Sequence, residues 1–119
     1  MASSTALNPI NTRLVRKVLA DFQLGLKKLY GSNAPEIFLY GSVARGEASV
    51  DSDIDVLLVY PAEVEASKEI RRVSALLAEL NLRYQTLISV VPVSQSNYKT
   101  NPGVFWKNVR QEGISVNAF

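Results

Sequence analysis

Residues 39–59 read LYGSVARGEASVDSDIDVLLV. A glycine-serine pair, Gly41-Ser42, ends one apolar run, and Asp53 and Asp55 stand at the mouth of the next. Side chains two apart on a strand share a face, so the two carboxylates project together and Ile54 projects the other way. Two close carboxylates repel and disfavour joint ionisation. The usual remedy is a hard divalent cation. Mg²⁺ typically takes one or two protein carboxylates and completes its shell with water and phosphate oxygens. The pair therefore suits a metal bound together with a nucleoside triphosphate.

The Gly-Ser turn can supply the other half of such a site. Gly41 lets backbone approach a ligand closely. Ser42 offers a hydroxyl and an N–H. A helical turn beginning at residues 42–45 would present free N–H groups to phosphate. Arg45 could add a bidentate donor. Plainer readings stand beside each of these. A Gly-Ser pair after a strand can be only a turn. An isolated D-x-D can be a solvated strand end. Asp51 and Ser52 read as turn or capping residues, and Arg45 reads equally well as a surface or structural ion pair.

Working outward, Ile10, Leu14, Val18, Phe22 and Leu26 recur every four residues, which predicts a helix over 9–30. Asn8-Pro9 is its expected start and Gly31 its stop. EIFLY at 36–40 and IDVLLVY at 54–60 read as strands. Residues 62–82 return to helical spacing, with Ile70, Val73, Leu77 and Leu80 on one face. YQTLISVVPV at 84–93 is a third strand, and Pro92 places it at an edge or bulge. A last helix is expected at 102–112, packed through Phe105, Trp106 and Val109, with ISV at 114–116 as a short strand. This order predicts an α/β or α+β domain, a small mixed sheet with helices packed on it.

Composition narrows the chemistry. The 119 residues fit one domain. Cysteine and histidine are both absent, so thiolate or histidine metal sites and Ser-His-Asp catalysis are excluded within this chain. A net charge of +2 gives no strong nucleic-acid signal. The basic residues from Arg13 to Lys28 read as a solvated helix face. No secretory signal or bilayer-spanning segment is evident, so a cytoplasmic location with no membrane contact is expected.

The segment GSVARGEASVDSDIDVLLV resembles the nucleotidyltransferase domain of the DNA polymerase β-like superfamily. The shared pattern is Gly41-Ser42, ten residues, then Asp53-Ile54-Asp55, with ARG at 44–46 and SDID at 52–55. NVRQEG at 108–113 resembles a common ending of the minimal, stand-alone members. The resemblance implies a polymerase β-like fold, and the length places it in a single domain, 1–119, with residues 1–8 expected as an N-terminal tail. It implies nucleotidyl transfer from a nucleoside triphosphate, ATP by expectation, with two Mg²⁺. Gly41 and Ser42, with Arg45, would hold the triphosphate; Asp53 and Asp55 would bind metal and serve catalysis. Minimal members also imply a partner, a small helical, HEPN-like protein that antitoxin-like members modify with AMP. The small size of the chain separately asks for a further surface over the open face of the sheet, from a different chain or from a second copy.

One departure from the family pattern stands out. The family places a third carboxylate on the next core strand, and residues 84–93 contain no Asp or Glu. Ser89 occupies the matching position. A serine is a poor Mg²⁺ ligand and a poor base; Glu47, in the loop, is the alternative acid. Two readings follow. One is a nucleotidyltransferase acting on a hydroxyl of a partner protein or small molecule. The other is a nucleotide- or partner-binding module with weak or no turnover.

Overall fold

The computed structural model describes residues 9–47 and 53–118. The expected start at Asn8, the tail 1–8, and Asp51 and Ser52 lie outside them. Helix α1 runs Pro9–Tyr30, and a 3-10 turn at Gly31–Asn33 leads into β1, Glu36–Tyr40. A single helical turn, α2 at Gly41–Ala44, precedes β2, Ile54–Tyr60. Helix α3, Ala66–Tyr84, then crosses to β3, Ile88–Ser94. Helices α4, Gln95–Thr100, and α5, Val104–Glu112, precede the short β4, Ile114–Ser115, and a final 3-10 turn at Val116–Ala118.

The sheet order is β3-β2-β1-β4. Strand β1 is antiparallel to β2 and to β4, whereas β2 and β3 are parallel. A parallel pair needs a long crossover, and α3 supplies it. Strand β2 is central and nearly all apolar, with Val56, Leu57 and Leu58 fully buried, as expected of a strand covered on both faces. Ile54, Val56, Leu58 and Tyr60 pack against Val18, Leu19, Phe22 and Leu26 of α1 and Val73 and Leu80 of α3. Leu57 and Val59 pack on the opposite face with Val93, Val109 and the rings of Phe38, Tyr40, Tyr98 and Trp106. Pro92 lies on β3, an edge strand, where a missing N–H is tolerated.

Several boundaries and faces differ from the sequence reading. Leu14 is exposed, and Val15 and Leu19 pack inward instead. A strict four-residue spacing drifts around a helix of 3.6 residues per turn, so the buried stripe changes residues along its length. Ile70 is likewise exposed and Leu76 takes its place against the core. Gly25 permits that contact, because a Cβ there would lie 2.5 Å from Leu76 Cδ1. Helix α3 continues to Tyr84, whose hydroxyl donates to Asp21 of α1. It ends at Gln85, which adopts a left-handed conformation with φ 51 and donates its N–H to the Asn81 carbonyl. The Asn81 side chain then accepts from the Ile88 N–H and starts β3. Helix α4, absent from the sequence reading, is capped by Ser94, which accepts from the Asn97 N–H at 3.1 Å. Phe105, expected as a packing residue, is 44% exposed. Among the described residues no helix is long and apolar enough to cross a membrane.

Candidate active site

The ends of three strands meet at one place. Tyr40, the last residue of β1, pairs with Asp55 of β2, and Asp55 pairs with Ser89 of β3. Directly paired residues present side chains to the same face, so Tyr40, Asp55 and Ser89 form a row across the sheet. Asp53 precedes β2 by one residue and is exposed; Ile54 is buried and Asp55 half-buried. Ile54 thus faces α1 and α3 while Asp55 faces the other side of the sheet, and Asp53 lies close enough for its charge to act on Asp55.

Gly41 turns the chain out of β1 with φ +78. A Cβ at this position would lie 2.5 Å from Asp55 Oδ2. Glycine is therefore required both by the backbone conformation and by the carboxylate pressed against it. The α2 turn is closed by Arg45 N–H to Gly41 O at 3.1 Å and Glu47 N–H to Ser42 O at 2.9 Å. Buried Val43 anchors it to the core. The first N–H groups of such a turn have no partner within it.

The Asp55 carboxyl is held above its ordinary range, first by burial, then by the Asp53 charge, with Arg45 pulling the other way. A cation between the two carboxylates would relieve both causes. Two hard oxygen donors and an open side suit Mg²⁺, whose remaining positions go to water and phosphate. Among the described residues no third Asp, Glu, His or Cys joins them. Ser89 is half-buried, with only a hydroxyl to offer. Glu47 is turned to Arg45, which it accepts from at 3.0 Å. Arg45 also donates to Glu112 of α5 at 3.0 Å, so its guanidinium clasps α2 to α5 as an ion pair.

The sequence reading does not place two of the site's neighbours there. Tyr40 borders Asp55 by register, and its phenol is raised by burial and then by Asp55. Phe105 packs edge-on to Tyr40 with ring centroids 5.7 Å apart. The period-2 pattern of EIFLY puts Phe38 and Tyr40 on one face, but only the β1–β2 register reveals that Asp55 shares it.

A small mixed sheet, with paired carboxylates at the start of one strand and a Gly-Ser turn at the end of its neighbour, fits a nucleotidyltransferase domain. The chain belongs to that family, whose nucleotidyltransferase-domain model matches residues 19–110. A protein of Methanocaldococcus jannaschii, provisionally named a protein adenylyltransferase, is 33% identical over 99 residues, spanning 82% of this chain and 92% of its own length. Two solved structures share the fold. A provisionally named nucleotidyltransferase from Sulfolobus solfataricus aligns with TM-score 0.58 at 18% identity, over 97% of this chain and 89% of its own. A chain of a toxin–antitoxin crystal structure with AMP-PNP aligns with TM-score 0.55 at 17% identity, over 85% of this chain and 71% of its own.

Proposed function

We propose that this protein moves AMP from ATP to a hydroxyl on a partner protein, with Mg²⁺ held by Asp53 and Asp55. The observation that supports the reading is the seating of the Asp55 carboxylate against Gly41, the arrangement that metal donors beside a phosphate-binding turn would need. The acceptor and nucleotide are supported by the name of the archaeal relative and by the AMP-PNP in the toxin–antitoxin structure. A small helical, HEPN-like protein fits that role in a cytoplasmic setting, and a second copy of this chain is the other partner that could complete the open face. A small-molecule hydroxyl is the remaining acceptor class.

In the reaction the acceptor oxygen bonds to the α-phosphorus. The bond from that phosphorus to the bridging β-phosphate oxygen breaks, and pyrophosphate leaves. Bound Mg²⁺ supplies charge neutralisation on the triphosphate. Ser42 and the first N–H groups of α2 hold phosphate oxygens, and Gly41 leaves room for them. The acceptor proton passes to Asp55 or to solvent. Ser89, opposite Asp55 where a third acid would take that proton, favours a second reading: a binding module with slow or no turnover.

ATP labelled at its α-phosphate, incubated with Mg²⁺, this protein and its co-purifying partner, separates the two. Label on the partner supports the transferase. Saturable binding without transfer supports the module. Asp53→Asn with Asp55→Asn abolishes Mg²⁺-dependent ATP binding while the fold persists; unchanged affinity removes this site from consideration.

A further inference from the structure

Val104 is 74% and Phe105 44% exposed in the first turn of α5. Isolated exposed apolar side chains need no explanation, but Phe105 is not isolated. It packs edge-on to Tyr40, with centroids at 5.7 Å and planes at 88°. It packs the same way against Trp106, at 5.1 Å and 86°. Trp106 in turn packs on the second core with Val109. The Phe105 ring is therefore held from two sides and still open to solvent. Its position relative to the carboxylates matters most. Tyr40 is the register partner of Asp55, so one residue separates Asp55 from the Phe105 ring. A nucleotide likewise carries its base next to its phosphates, joined through the ribose.

We infer that Phe105, braced by Tyr40 and Trp106, is the platform on which the nucleobase of the bound triphosphate stacks. This rests on the reading that the triphosphate is held at Asp53, Asp55 and the α2 turn. A rigid, pre-positioned ring loses little freedom on binding, which favours stacking. The platform carries no hydrogen-bonding code, so it accepts any base and favours purines through their larger ring area.

The test compares Mg²⁺·ATP with Mg²⁺·tripolyphosphate, which has the phosphates and no base. Phe105→Ala and Phe105→Leu weaken ATP binding about tenfold, the order expected for one lost base stack. Both leave tripolyphosphate binding unchanged, and Phe105→Trp keeps parental ATP affinity. Equal losses for the two ligands would mean that Phe105 only supports the phosphate site, and undiminished ATP binding would mean that no platform exists; either overturns the inference. The metal-site reading is tested separately by Asp53→Asn with Asp55→Asn, which removes binding of both ligands. A parent protein that binds neither overturns that reading and the platform with it.

Discussion

Gly41 lacks a side chain for two separable reasons. Its φ of +78 disfavours an L-residue by about 1–2 kcal/mol. A Cβ would also press on Asp55 Oδ2 at 2.5 Å. Gly41→Ala is expected to lower stability by about 1–2 kcal/mol through the backbone and to lose Mg²⁺·ATP affinity by displacing the carboxylate. Ser42→Ala removes one hydroxyl and keeps the N–H, with a loss of about 1 kcal/mol in binding and little change in melting. Urea melts and ATP titrations of both variants check this. Greater damage from Ser42→Ala in a folded protein would refute the backbone-cradle account. The residue types of the site were legible in the sequence, because D-x-D on a strand and Gly-Ser after one each have a geometric meaning. The contact between Gly41 and Asp55 was not, since it depends on β1 pairing with β2 in one register.

At the scale of elements, α1, β2 and α3 are tied together by Tyr30, Tyr60 and Glu69. Tyr30 donates to Glu69 Oε1 at 2.7 Å, and the Tyr30 and Tyr60 hydroxyls are 3.0 Å apart. A phenol has one proton, so with Tyr30 donating to Glu69, Tyr60 donates to Tyr30. Glu69 is only 7% exposed, a carboxylate tolerable there because it accepts this bond and lies 3.8 Å from Arg72. The Tyr60 phenol is pushed far above its ordinary range, first by burial and then by its bond to Tyr30. Above about pH 10 the unfolded chain releases this proton while the folded one keeps it. The unfolded state then binds fewer protons, so stability falls as pH rises through that window and is unaffected below it. Tyr60→Phe is expected to be less stable than the parent at pH 8 by about 1 kcal/mol, with the gap narrowing by pH 11. Denaturant melts at the two pH values decide; a constant gap would refute it. Apart from α4, the helices and strands themselves were legible from period and punctuation. Their ends were not where side chains made the stop: Gln85 closes α3 without glycine or proline, and Asn81 bridges it to β3. Nothing local in the sequence marks Glu69 as a buried acid.

At the scale of the molecule, the strand order puts Ser89 directly opposite Asp55 on the parallel neighbour. The family resemblance matches Ser89 to a missing acid; its pairing with Asp55 is visible only in the assembled sheet, because α3 decides how β3 is returned to β2. Ser89→Asp would set a third carboxylate beside a pair whose inner member already titrates high from burial and from Asp53. Without a divalent cation, three like charges crowd one face, and the whole protein should melt lower than the parent. With Mg²⁺ the penalty should shrink, because an ion that binds only the folded state stabilises it by mass action. The melting temperature of Ser89→Asp is therefore expected to climb more steeply with Mg²⁺ than that of the parent, with Ser89→Asn as the uncharged control of similar size. Ca²⁺, with its larger shell, should raise both proteins by a different increment. Label transfer from ATP should also rise in Ser89→Asp when the acceptor is present, since a base then stands near the attacking hydroxyl. The melt requires no acceptor, so it isolates the metal from the chemistry. Parallel Mg²⁺ curves for the aspartate variant and the parent would show that position 89 does not reach the cation. The paired aspartates would then have to hold it with water and phosphate alone.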